Sequence, residues 1–341
     1  MRKYNVAVVG ATGAVGEELF RVLGEVDFPI NTLLPLASAR SAGSDIEYKG
    51  KNYKVVELTE DVFEKYEIDI AFFSAGGSIS ARFAPYAAEA GAVVIDNTSH
   101  FRMEEDVPLV VPECNADDIS LWKNRGIIAN PNCSTIQMVQ VLKPLDDIFG
   151  INRVDVSTYQ AVSGAGKEGM EELVHQMQEF FAFRLDSCKA DKFQHQIALN
   201  VIPHIDVFLD NDYTKEEMKM VNETQKILHK AIEVSATCVR VPVLRSHSEA
   251  ITIHFDTAVQ ADKAREILSN APSVVVIDNP AKNEYPMPII STDTDETYVG
   301  RIRNDINRDN VLHLWCCADQ IRVGAATNAV RIALKWIETE G

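Results

Sequence analysis

A cysteine set among small polar residues just ahead of an apolar helical pattern has the makings of a nucleophile, and Cys133 is such a residue. It follows a proline turn in Ile128-Ala129-Asn130-Pro131-Asn132-Cys133-Ser134-Thr135, and Ile136, Val139, Val141 and Leu142 then carry the pattern of a helix. Exposed N–H groups and the helix dipole stabilise a thiolate there, and a free-cysteine pKa of about 8.5 falls toward ~3.5–7.5 in such settings. A buried structural thiol would not be expected in so polar a segment. A second motif, Gly10-Ala11-Thr12-Gly13-Ala14-Val15-Gly16, comes directly after the apolar run Val6 to Val9 and opens a helical pattern. Glycines in that context let a backbone approach a pyrophosphate at a helix N-terminus, although the spacing is GxxGxxG rather than GxGxxG. At the end of the next strand stands Ala37-Ser38-Ala39-Arg40-Ser41-Ala42-Gly43, with no carboxylate before Asp45. A basic residue there accommodates a 2′-phosphate, so the expected cofactor is NADP.

The elements that must position these groups divide the chain in two. Over the first 130 residues short β-branched runs alternate with helical patterns, the habit of a parallel sheet covered by helices. Strands are expected at Val6 to Val9, Leu33 to Ala37, Ile70 to Phe73 and Val93 to Ile95, with helices after the glycine loop and around Ala81 to Ala90. Beyond Asn130 strand-like runs dominate, at Val154 to Ala161, Ala250 to Phe255, Val274 to Ile277 and Val311 to Cys317. Helices are expected near Glu168 to Phe181 and Lys215 to Ile232, and Val330, Leu334 and Ile337 mark a final helix. The fold class is therefore α/β: a Rossmann-like dinucleotide-binding domain, residues 1–130 plus 322–341, and an α+β domain with a largely antiparallel sheet, residues 131–321.

With 341 residues, 46% hydrophobic and 24% charged, the composition is that of an ordinary soluble globular protein. Thirty-three lysines and arginines against 50 aspartates and glutamates give a net charge of −17, which repels an extended polyanion and argues against nucleic-acid binding. No apolar stretch approaches the roughly 20 residues that span a bilayer, and the start does not read as a secretory signal. The six cysteines (114, 133, 188, 238, 316, 317) show no CxxC pair, so cytosolic thiols and no metal site are expected. Cys316-Cys317 reads as two small hydrophobes packed on opposite faces of a strand.

The glycine loop, Asn132-Cys133-Ser134-Thr135 and Gly324-Ala325-Ala326-Thr327-Asn328 together resemble the bacterial-type aspartate-β-semialdehyde dehydrogenases over nearly the whole length. That resemblance implies NADPH-dependent reduction of L-aspartyl-4-phosphate to aspartate semialdehyde and phosphate, the branch-point step toward lysine (through diaminopimelate), methionine and threonine. It implies catalysis by Cys133 as nucleophile, through a thioester, and by His247 as acid and base in Arg245-Ser246-His247-Ser248-Glu249. It places Gln160, Arg240 and Glu216 on the substrate, with Arg240 pairing bidentately with the α-carboxylate. Arg102, Asn132 and Lys219 are expected to hold the phosphate. Cofactor contacts are expected from Gly10, Thr12, Gly13, Ala14, Val15, Ser38, Arg40, Ser41, Ser163, Gly164 and Gln320. At the last position the family usually has an asparagine, and the glutamine here keeps the amide with one more methylene. Glu217, next in the sequence, is as available as Glu216 for surface pairing.

The resemblance also implies a cytoplasmic homodimer paired through the second domain; the sequence does not separate dimer from tetramer. Two other readings stand beside it. One is reduction of another acyl phosphate or a thioester, such as N-acetylglutamyl phosphate or malonyl-CoA, which the substrate arginine disfavours. The other is a catalytically dead NADP-binding relative, which the presence of Cys133, Gln160, Arg240 and His247 disfavours. His247 titrating near neutral pH is expected to contribute to an acid-side loss of turnover.

Overall fold

A computed structural model describes residues 2–184 and 189–341, so Cys188 lies outside the described residues. The chain forms two compact units, Met1–Asn132 with Ala325–Gly341, and Cys133–Gly324.

In the first unit the central strands are continuous apolar runs, as expected where helices cover both faces of a parallel sheet. In chain order the elements are β1 (Tyr4–Val9), α1 (Ala14–Glu25), β2 (Ile30–Ala37), β3 (Asp45–Tyr48), β4 (Lys51–Lys54), β5 (Val56–Glu57), α2 (Val62–Lys65), β6 (Ile70–Phe73), α3 (Gly77–Glu89), β7 (Val93–Asp96), α4 (Pro112–Asn115) and β8 (Ile127–Ala129). The sheet order is β5-β2-β1-β6-β7-β8, all parallel. Strand order therefore reverses beside β1, and the crevice at the carboxyl end of such a switch point is where an α/β sheet takes its ligand. The glycine loop sits there. The antiparallel β3–β4 hairpin is an excursion that the sequence reading did not place.

The second unit comprises α5 (Cys133–Phe149), β9 (Ile151–Gln160), α6 (Lys167–Phe181), α7 (Lys215–Leu228), β10 (Glu233–Arg240), β11 (His247–Phe255), α8 (Ala261–Ser269), β12 (Val274–Val276), α9 (Pro288–Ser291), β13 (Thr297–Asn304) and β14 (Val311–Ala318). Its sheet runs β10-β9-β11-β14-β13-β12. The three central pairings are antiparallel, and the two outer ones, β10 on β9 and β12 on β13, are parallel. The expected helix over 215–232 is shorter than its pattern: it ends at Leu228, where His229 takes a left-handed φ of 51°, and β10 begins four residues later. Its start is fixed by a capping box, Thr214 accepting from the Glu217 N–H while the Glu217 carboxylate accepts from the Thr214 N–H.

The last helix, α10 (Thr327–Thr339), belongs to the first unit. Ala329, Val330, Ile332, Ala333 and Trp336 join Tyr4, Val6, Leu19 and Leu23 in one apolar cluster. Among the described residues no helix is long and apolar enough to cross a membrane.

Candidate active site

Cys133 is the first residue of α5 and is half-buried. The first turn of a helix carries N–H groups that have no intrahelical partner, and a thiol at that end lies on the positive side of the helix dipole. Gly324 lies so close that a Cβ built on it would stand 2.6 Å from the Cys133 Cβ and 3.0 Å from its Cα. The turn carrying Gly324 is anchored by the fully buried Asp319, which accepts from the Ile321 N–H at 3.0 Å and the Asp293 N–H at 2.8 Å. Arg322 is paired with Asp295 through two bonds of 3.0 and 2.9 Å.

The strand ends of the second unit bring the other candidates together. β9 and β10 are parallel with Gln160 opposite Arg240, so both side chains leave the sheet at the same level. β11 begins at His247 next to β9. The residue after β9, Ala161, then orients two of the three groups with its backbone: its N–H donates to His247 Nδ1 at 3.0 Å, and its carbonyl accepts from Arg240 Nη1 at 2.6 Å. Gly164 closes over both, since a Cβ there would lie 3.1 Å from Arg240 Nη1 and 3.3 Å from His247 Nε2.

These bonds settle the histidine tautomer. With Nδ1 accepting, a neutral ring carries its hydrogen on Nε2. Gln160 cannot accept that hydrogen: its amide nitrogen donates to Glu216 Oε1 at 3.2 Å, and its oxygen takes the Thr158 hydroxyl at 3.0 Å. With the ring hydrogen on Nε2, the 3.4 Å approach of Gln160 Nε2 to His247 Nε2 sets two donor nitrogens side by side. Burial, reinforced by the positive charge of Arg240, holds the His247 pKa down at about 3. The sequence-based expectation that His247 charges near neutral pH is corrected: burial beside Arg240 favours the neutral ring there.

Arg240 is buried, its charge disfavoured by desolvation and supported by Glu216 and Cys133. Glu216 and not Glu217 faces this group, because Glu217 is consumed by the helix cap and by the Cys238 N–H at 3.0 Å. Lys219 bonds Glu216 at 2.9 Å and Asp206 at 2.8 Å. Burial works against its charge, but those two carboxylates raise its pKa above the usual lysine value. Asp206 gave no sequence signal, lying 13 residues before its partner. Gln320 receives the Ser246 N–H at 2.8 Å and donates to the Ser163 hydroxyl, which ties together two of the residues expected on the cofactor.

In the first unit, Gly10, Thr12, Gly13, Ser38, Arg40 and Ser41 line a cavity of about 510 Å³ together with Leu58, Ser74, Ala75 and others. Gly10 has φ 87°, and a Cβ on it would sit 2.9 Å from the Ala75 nitrogen; a Cβ on Gly16 would sit 2.2 Å from the Gly10 oxygen. The first glycine keeps the cavity floor open and the third lets α1 close on β1, which is the cradle a dinucleotide requires. Ala14 and Val15 start α1 behind it. No carboxylate appears among the described residues lining the cavity, and Asp45 is engaged by Lys54 at 2.9 Å. Arg102 is buried, its Nε on the Asn130 carbonyl and its Nη2 on the Asn97 carbonyl, both at 2.9 Å. Asn132, also buried, precedes Cys133.

Cys316 and Cys317 are buried, but the register sets them opposite Glu249 and Ser248, so their surroundings are polar, unlike the two hydrophobic sites expected. Cys316 donates to Glu249 at 3.5 Å and accepts from Gln137 at 3.6 Å, while Cys317 contacts the Ser248 and Ser291 hydroxyls. Burial pushes the Glu249 carboxyl up to about 8 against the hydrogen bonds from Cys316 and Gln137. A folded-state pKa above the ordinary 4.5 means the fold favours the neutral acid, so this contribution is fully present below pH 4.5 and is lost as pH rises toward 8. Glu249→Gln, neutral at every pH, is expected to gain stability over the parent by about 1.4 kcal/mol per pH unit across that window. Urea unfolding of both proteins at pH 5 and pH 8 checks this; an unchanging difference would exclude it.

Two family models match the chain: "Semialdehyde dehydrogenase, NAD binding domain" over residues 5–122 and "Semialdehyde dehydrogenase, dimerisation domain" over residues 142–323. An aspartate-semialdehyde dehydrogenase of Campylobacter jejuni is 71% identical over 99% of this chain and 98% of its own length. That of Aquifex aeolicus is 55% identical over 97% of each chain. Among solved structures, aspartate semialdehyde dehydrogenase II of Vibrio cholerae complexed with ASA superposes with a TM-score of 0.97, at 46% identity and full coverage of both chains. The Candida albicans enzyme with NADP superposes at 0.77, with 27% identity and 98% coverage of each.

Proposed function

The chain belongs to the aspartate-semialdehyde dehydrogenase family, and from that membership we propose how its own residues carry the reaction. The reaction is the NADPH-dependent conversion of L-aspartyl-4-phosphate to aspartate semialdehyde and phosphate, in the route to lysine, methionine and threonine.

The observation that carries the mechanism is the pair of neighbouring donor nitrogens, Gln160 Nε2 and His247 Nε2, in the unit whose first residue is Cys133. The Cys133 thiolate attacks the acyl carbon, the carbonyl oxygen becomes an oxyanion, and the two donors stabilise it. Collapse breaks the C–O bond to phosphate and leaves a thioester on sulfur. NADPH, when bound, supplies the hydride that reduces this thioester. The same two donors then hold the second oxyanion, and cleavage of the C–S bond releases the aldehyde and restores the thiolate. No proton has to pass from Cys133 to His247 in this sequence, which agrees with a ring already protonated at Nε2.

Arg240 pairs with the substrate α-carboxylate and Glu216 with its ammonium; the Gln160 bond to Glu216 links substrate recognition to the oxyanion site. Arg102, Asn132 and Lys219 receive the phosphate. Gly10, Thr12, Gly13, Ser38, Arg40 and Ser41 hold the NADP pyrophosphate and ribose, with Arg40 on the 2′-phosphate, and Ser163, Gly164 and Gln320 serve the nicotinamide end. The working protein is a cytoplasmic dimer paired through the second unit. Incubation with aspartate semialdehyde, phosphate and NADP is expected to produce NADPH, with N-acetylglutamate semialdehyde in place of the substrate giving little or none. Equal rates with the two aldehydes would overturn the substrate assignment.

A further inference from the structure

Arg102 is aimed by backbone, and that backbone is itself held from the far end of the chain. The two carbonyls on its guanidinium belong to Asn97, just after β7, and Asn130, just after β8. Their side chains are bonded to each other, Asn130 Nδ2 donating to Asn97 Oδ1 at 3.0 Å. Asn130 Oδ1 then accepts from Asn328 Nδ2 at 2.6 Å, and the same amide donates to the Val110 carbonyl at 3.0 Å. Asn328 is fully buried, in the first turn of α10, and Asn130 is nearly so. Both amide hydrogens of Asn328 are thus used on acceptors. This fixes which way the Asn130 amide faces, and through it the spacing of the two carbonyls.

We propose that Asn328 is a positioning residue for phosphate, acting on the Arg102 guanidinium through Asn130 without touching the ligand. The inference rests on the phosphate role proposed for Arg102. A loosened loop keeps the cation but loses its aim, so the effect falls on phosphate affinity and spares chemistry and the other substrates.

In the semialdehyde-to-acyl-phosphate direction, Asn328→Ala is expected to raise the KM for inorganic phosphate about tenfold. The KM values for NADP and semialdehyde, and kcat at saturating phosphate, should stay within about threefold. Arg102→Ala should also raise the phosphate KM, and the double variant should show much less than the product of the two single effects, because both act through one group. If Arg102→Ala leaves the phosphate KM unchanged, the role of Arg102 falls and this inference with it. If Arg102→Ala raises it while Asn328→Ala does not, or if the effects multiply in full, the inference alone is wrong. Should Asn328→Ala fail to fold, Asn130→Ser breaks the same link without touching α10 and is read by the same criteria.

Discussion

Cys133→Ser should lower kcat by at least about 10⁴-fold while NADPH still binds, because the residue removed is the only one that bonds covalently to the substrate in the proposed sequence. Serine keeps the size and the place at the head of α5, but an alkoxide is far harder to form than a thiolate, and the N–H groups of one helical turn do not close that gap. Among the described residues of the second unit no other thiol offers a substitute. Cys238, Cys316 and Cys317 are buried, and burial pushes each of their thiols above the usual cysteine range. A rapid-quench experiment separates this from general damage: mixed with aspartyl phosphate and no NADPH, the parent should release about one phosphate per site in a burst, and the serine variant none. Retention of kcat within tenfold, or a burst in the variant, would remove the thioester from the mechanism.

The second large effect is expected from a residue with no functional group. Gly324→Ala places a methyl 2.6 Å from the Cys133 Cβ and 3.0 Å from its Cα, too close for either residue to keep its position. Cys133 is the end of a helix packed against β9, β11, β13 and β14, and the Gly324 turn is bound down by Asp319 and Arg322, so neither side yields cheaply. Shifting a nucleophile by about 1 Å costs on the order of 100-fold in rate. The expected result is a kcat lowered by about that factor, a burst of reduced rate but full amplitude, and a phosphate KM unlike that of an Asn328 variant, close to the parent's. A kcat within threefold of the parent would show that the turn has room to move.

Why the glycine loop and Cys133 are legible in the sequence and much else is not follows from where the information sits. The loop's chemistry lies within seven consecutive residues, and the position of Cys133 at a helix start depends on the turn before it and the pattern after it. Strands β1, β6 and β7 announce themselves as apolar runs because both sheet faces are covered. By contrast β10 (Glu-Val-Ser-Ala-Thr-Cys-Val-Arg) and β13, with Gly300 and two arginines inside it, have no such run and become strands through their neighbours. The hydrogen on His247 Nε2 is decided by the Ala161 N–H, 86 residues away, and the setting of Cys316 by its register with Glu249. Family resemblance named the side chains of the candidate site; it did not say which of them give hydrogen bonds and which receive them.

The residence of α10 in the first unit has a consequence for how the protein is made. Its core includes Ala329, Val330, Ile332, Ala333 and Trp336, and it is incomplete until α10 has been made. On the ribosome the second unit, whose residues run from 133 to 324, is fully synthesised while β1 and α1 still lack the helix that covers them. The part of the chain synthesised first is thus the one whose core is completed last, after the whole of the second unit. Termination between Gly324 and Thr327 would leave the second unit whole, with Cys133, Arg240 and His247, and the first without the helix that covers β1 and α1.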